Sequence, residues 1–306
     1  MTTQSITPAT EGQQKQLKRL MEDAAQRAAT DALAEVSPDL DKDGTQRVIE
    51  RGDDLGAIIR AATLKALRDL SASNRYADQV VKSSYIYPPE YYGPKPIRTQ
   101  VEALLTEFPN LNAQWALDEG QAWYDGIKPG LPKWIEGPLV YIWWEVFGGC
   151  NAALEQVIER IAANRTLHNY RAGAINPEHL RQLERTARME KVVKATQPGD
   201  FIIVPSQAGL HHRGESVLRA RETFTAQEFG LGAVAEGCRA LTHPERYVRG
   251  EQLHTDLAGD EYSPVAGGGF SSAPYLDFSD GGVKFGTDLV SHPYGYFGSS
   301  SAFLPQ

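Results

Sequence analysis

The sequence predicts an α+β protein with an N-terminal helical hairpin (residues 1–74), a tryptophan- and proline-rich connecting region (75–150) and a C-terminal mixed body with a small sheet (151–306). Three observations lead there. Residues 11–36 and 45–70 carry apolar side chains at helical spacing; residues 201–204 (FIIV) form an apolar run of strand length; and residues 275–285 read as two short strands around a Ser-Asp-Gly-Gly turn. A content of 41% hydrophobic and 23% charged residues is that of an ordinary folded protein, neither disordered nor fibrous.

In the first helix Leu17, Leu20, Met21, Ala24, Ala28 and Leu33 recur near a 3.6-residue period. The second has Val48, Ile49, Leu55, Ile58, Ile59 and Leu67 as its stripe, weakened by Gly52 and Gly56. The turn between them, Asp39-Leu40-Asp41-Lys42-Asp43-Gly44 with Glu50 beyond, fits the calcium-loop word D-x-[DN]-x-[DN]-G-x5-E. Asp39, Asp41, Asp43 and Glu50 are therefore candidate calcium ligands. Gln46 and Arg47 depart from that pattern, and the competing expectation is an acidic turn in which Asp43 or Thr45 caps the second helix.

In the connecting region Pro88, Pro89, Pro94 and Pro96 forbid a continuous helix, and residues 98–108 predict a short one after them. All five tryptophans, Trp115, Trp123, Trp134, Trp143 and Trp144, fall in this region. Packing of loops onto the body is the expectation, ahead of a stacking platform for sugars or bases. The body then predicts helices over 151–164 and 179–195, the second carrying a basic face of Arg181, Arg185, Arg188, Lys191 and Lys194. The FIIV strand follows, apolar on both sides as a central strand is, then helices over 216–229 and 232–241 and the 275–285 hairpin.

A net charge of -8 argues against a nucleic-acid coat protein, which needs clustered cations to displace phosphate counterions. No apolar run reaches the roughly 20 residues that span a bilayer, and the N-terminus lacks the basic-then-apolar order of a signal peptide. With only Cys150 and Cys238 present, a cytoplasmic location is expected. Partners expected on this reading are a small molecule or another protein, with homo-oligomerisation through the N-terminal helices.

The words GDFIIVPSQ from Gly199, HRGESVLRARE from His212, EFGLG from Glu228, LTHPER from Leu241, QLHTDLAGDE from Gln252, VKFGT from Val283 and the terminal GSSSAFLPQ resemble an uncharacterised bacterial protein family of unknown function. The resemblance covers the last third of the chain and implies no fold, activity or site.

Candidate chemistry is concentrated in that same third, which holds His211, His212, His243, His254 and His292. The spacing His254-x-Asp256-x-x-x-Asp260-Glu261 puts an imidazole near carboxylates, which fix its tautomer and raise its basicity. His212-Arg213-Gly214-Glu215 with Arg219 and Arg221 follows the FIIV strand, where strand ends meet helix starts and anions are favoured. Joined, these groups predict a metal-assisted hydrolase acting on an anionic small molecule. His212, His254, Asp256 and Glu261 would be catalytic and Asp260 would hold a divalent metal; Arg213, Arg219 and Arg221 would hold substrate, and Glu215 is the alternative base.

Two alternatives stand beside it. Gly148-Gly149-Cys150 leads into a helix and precedes a GD-led strand and then His211 or His212, an order that resembles NlpC-like cysteine peptidases and implies Cys150 and His212 as nucleophile and base. The chain departs from that pattern at Asn151-Ala152 and in the helix expected after His212; a buried structural cysteine is the competing reading. The other alternative is a non-enzymatic interaction or scaffold protein in which the histidine and arginine groups are structural.

Overall fold

The computed structural model describes residues 10–71 and 75–305. They divide into two compact units, one of residues 10–71 and one of residues 75–305. The first contains α1 (Glu11–Val36), α2 (Lys42–Glu50) and α3 (Gly52–Ser71). Thr10 opens α1 through a reciprocal capping box with Gln13, so two otherwise orphaned amides are satisfied. The expected second helix is two helices: the backbone leaves helical geometry at Arg51, just before Gly52, and Asp41 rather than Asp43 or Thr45 caps α2 by accepting from the Gly44 amide at 2.5 Å. No residue of α1 or α2 is buried.

The second unit has a large core into which the proline- and tryptophan-rich region is built, and a smaller buried cluster around Val217, Phe224 and Val290. Ile97, Leu104 and Tyr141 lie in the same buried cluster as Phe201 and Phe285, so residues 75–150 are part of the body and not a separate connector. Here α4 (Ile97–Glu107), α5 (Gln114–Asp118) and α6 (Gly120–Ile127) lead to strand β1 (Gly137–Ile142), then α7 (Cys150–Asn164). Gln100, fully buried, ties α4 to β1 by accepting from Val140 N and donating to Pro138 O.

Next come β2 (Leu167–Asn169), β3 (Leu180–Gln182), α8 (Glu184–Lys194), β4 (Phe201–Gln207), α9 (Val217–Thr223), β5 (Glu228–Gly230) and α10 (Ala233–Thr242). The chain ends with β6 (His254–Asp256), β7 (Asp260–Tyr262), β8 (Ser272–Ser279), β9 (Gly282–Leu289), β10 (Phe297–Ser299) and β11 (Ser301–Phe303). Every residue of β4 is buried, as an apolar run with no polar alternation requires, and it lies inside a four-stranded antiparallel sheet of order β1-β4-β11-β5.

The second sheet has seven strands: β10-β6-β8-β7-β3 along one path, with β9 pairing β8 and β2. The hairpin between β8 and β9 turns through Asp280 (φ 52°) and Gly281 (φ 75°), the left-handed pair that an Asp-Gly hairpin turn uses. Two helical expectations are shortened by strands: residues 180–182 pair with β7, so α8 starts at Glu184, and residues 228–230 pair with β11 after α9 has ended at Thr223. No described helix is long and apolar enough to cross a membrane.

Candidate metal centre

The segment that leaves β4 is held from inside the protein. Gln207, fully buried, accepts from the amides of Gly209 (2.6 Å) and His211 (3.3 Å) and donates to Ser299 O. Glu136 accepts from the Ala208 amide, while the Tyr87 hydroxyl donates to Glu136 and accepts from Leu210 N at 3.1 Å. Gly214, at φ 78°, passes so close to Val81 that a Cβ would lie 2.3 Å from its carbonyl oxygen. Backbone and polar anchors therefore fix residues 207–214, and with them two consecutive histidines.

His212 is 3% exposed and stands between two carboxylates: Nδ1 donates to Glu215 Oε2 at 2.9 Å and Nε2 to Glu228 Oε1 at 2.8 Å. Glu228 arrives from β5, and the Ser301 hydroxyl of β11 donates to its Oε1 at 2.7 Å. The His211 ring lies over the Trp134 indole, with centroids 4.7 Å apart and planes 6° apart, and 4.4 Å from the His212 ring. His211 is exposed while Glu228 is fully buried, so the group opens to solvent on one side only. Ligand atoms of His211, His212 and Glu228 all lie within 4.8 Å of one another; among the described residues theirs is the one group of three or more histidine, cysteine or carboxylate side chains that converges so closely.

The charges follow from the contacts. Burial opposes a positive His212, but its two carboxylates outweigh that cost and raise it to about 8. Burial likewise opposes a negative Glu228, yet the bond from His212 leaves its carboxyl below the usual range. His211 is pushed down by burial and by the neighbouring His212 charge, so it is neutral when His212 is not.

The other residues singled out in the sequence are placed elsewhere. His254, on β6, bonds through Nε2 to Gly250 O at 3.1 Å, and burial lowers it to about 4. Residues 254–256 pair with β10, and Gly298 of β10 bridges Arg213, so a strand stands between the His212 segment and β6. Asp256 is raised to about 7 by burial, with Asp288 adding to the effect and Arg221 opposing it. Asp260 accepts from the Ala233 amide at the start of α10 (2.6 Å), and Glu261 pairs with Arg181. His254, Asp256, Asp260 and Glu261 thus point into three different environments and do not close on His212.

The arginines are engaged as well. Arg213 donates to Tyr85 O, Arg219 to Glu222, and Arg221 to Ala258 O and Asp260 O. In the first unit, Asp41 is the cap of α2, and Asp43 and Glu50 lie at opposite ends of that helix, about 10 Å apart along its axis at 1.5 Å per residue. Asp39, Asp41, Asp43 and Glu50 do not converge there as a calcium loop needs.

Cys150 does open α7, beside a cavity of ≈ 10 Å³ that Gln182, Glu190 and Asp260 also line. Burial pushes its thiol up, and Asp260 and Glu190 push it further; no histidine contributes. That is the reverse of an activated nucleophile.

Sequence reasoning missed Glu228 and Ser301 as site residues, and used His211 only as an alternative to His212 in the peptidase-like order. No protein-family model, curated protein or solved structure matches the chain.

Proposed function

We propose that the chain is a metal-dependent hydrolase of small molecules whose centre is His211, His212 and Glu228. One observation carries this reading: two histidines and a carboxylate converge at the wall of the body with a solvent-facing side. Two ligands each about 2.1 Å from a zinc ion, at right to tetrahedral angles, stand about 3.0 to 3.4 Å apart; the 2.8 Å hydrogen bond between His212 Nε2 and Glu228 Oε1 is a few tenths short of that, so a metal that takes the proton's place needs only a small outward movement.

Glu215 would hold the Nδ1 proton of His212, which fixes the tautomer that presents Nε2 to a metal. Ser301 would orient Glu228, and Trp134 would keep the His211 ring in place by stacking. A two-histidine, one-carboxylate set suits zinc or iron(II), and a metal with open positions supplies a polarised, acidified water. The test is hydrolysis of a panel of nitrophenyl esters, phosphates and amides by protein stripped with chelator and reloaded with zinc, iron(II) or manganese. Activity that returns with metal and is lost in Glu228→Gln supports the reading; a panel that stays silent with every metal contradicts hydrolysis.

A second reading rests on the first unit. Leu17, Leu20, Ile49, Ile58 and Ile59 are between 49% and 66% exposed there, an apolar surface that helices of this kind bury against a partner. Self-association through these helices is the role proposed for them. Sedimentation of the full chain against a 72–306 truncation checks it: equal masses for the two would contradict it.

A further inference from the structure

The strands β10, β6, β8 and β9 lie side by side, and strand alternation puts His254, Asp256, Ser299, Tyr275 and Asp288 on one face. Asp256 is opposite Ser299 on one side and Tyr275 on the other, and Tyr275 is opposite Gly286. The Tyr275 ring lies across Gly286, where a Cβ would come within 2.4 Å of its hydroxyl. Rings continue around the face. Tyr275 and Phe297 are 5.3 Å apart, Tyr294 and Phe297 6.0 Å, and Tyr294 and Tyr296 5.4 Å, while Tyr294 bonds to Asp288.

Two buried polar atoms here lack the partner they require. Ser299 is 0% exposed and its hydroxyl has none. His254 is 5% exposed; with Nε2 donating to Gly250 O, its Nδ1 carries an unused lone pair. The Asp256 carboxylate accepts no hydrogen bond from any described residue, and its charged neighbours are Asp288 and an Arg221 already committed to two carbonyls. Unfilled acceptors, two carboxylates and a wall of tyrosines together call for a cation that donates hydrogen bonds. A metal cage is a poorer fit, because these ligand atoms do not converge as those of the histidine centre do and aromatic faces favour organic cations.

We propose that this face is a binding site for an organic ammonium group, with Asp256 and Asp288 as its counter-charges and Tyr294 and Tyr296 as its wall. The site is separate from the histidine centre and does not depend on that centre holding a metal. The ammonium can belong to a free diamine or to a lysine side chain, and the test separates them.

The full chain is titrated calorimetrically with putrescine, with Nα-acetyl-lysine methylamide and, as a control, with magnesium chloride. Saturable binding of putrescine alone identifies a free amine, and of the lysine derivative alone or both a side-chain ammonium. Asp256→Asn and Asp288→Asn should each weaken binding by about tenfold or more, since each removes one of two counter-charges. Tyr296→Ala is the second arm, because its 40% exposed ring can be removed without opening the core, and a several-fold loss is expected there. The proposal is overturned if neither amine saturates below about 10 mM, if binding is the same in all three variants, or if magnesium binds more tightly than either amine.

Discussion

A metal at the histidine centre must displace a proton, and the structure says how many. With His212 raised to about 8, that imidazole is roughly nine-tenths protonated at pH 7, whereas His211 is held neutral and Glu228 ionised. Zinc binding should therefore release close to one proton at pH 7, about half a proton at pH 8 and about a tenth at pH 9. Integrated from pH 6.5 to 9, the affinity should rise about 30-fold, equivalent to about 2 kcal/mol.

Isothermal titration calorimetry, with zinc buffered by a competing chelator and in buffers of different ionisation enthalpy, reads both the affinity and the proton count. In Glu215→Gln one of the two carboxylates that stabilise the charged ring is gone, so the proton release at pH 7 should fall. Affinity at pH 9 should also fall, by about 10- to 100-fold, as the ring loses its orienting partner. An affinity flat across this range, or a release at pH 7 unchanged in Glu215→Gln, would refute the reasoning.

Three further outcomes follow from buried charge. Asp256 is raised from 3.8 to about 7, so the stability associated with its neutral form is present below pH 3.8 and lost as pH rises through 7; the shift corresponds to at most about 4 kcal/mol. Asp256→Asn should accordingly melt higher than the native chain at pH 8 and equally at pH 4, and a lower melting temperature at pH 8 would contradict this. Cys150, with its thiol pushed up, should react with iodoacetamide at neutral pH far more slowly than a free thiol, and rapid labelling would revive a nucleophilic role. Arg239 and Glu236 are paired at 2.9 Å with both side chains fully buried, so Arg239→Met alone should cost about 3–5 kcal/mol in urea unfolding, with a substantial part recovered when Glu236→Leu is added.

What the sequence made legible was local. The FIIV run announced a strand buried on both faces, and the Asp280-Gly281 pair announced a hairpin. What it hid was pairing between distant segments. Glu228 enters the site because residues 228–230 pair with 301–303, and Ser301, 73 residues away, donates to it. Nothing in Ser216 to Phe229 alone says that the helix stops at Thr223.

The union of His212 with His254 failed for the same reason, because Phe297–Ser299 inserts as a strand beside β6. In the first unit the calcium word was complete letter by letter, yet Asp41 meets its need as a helix cap and the residues after it wind into α2, which carries Glu50 away from Asp43. A motif fixes residue types and spacing, and the backbone conformation decides whether those residues converge.

The most direct test of the central claim is anomalous diffraction at the zinc edge from crystals of the full chain grown with zinc. The expected result is a peak about 2.0 to 2.2 Å from a ring nitrogen of His211, Nε2 of His212 and an oxygen of Glu228. A map with no peak there, with His212 still bonded to both Glu215 and Glu228, would contradict it.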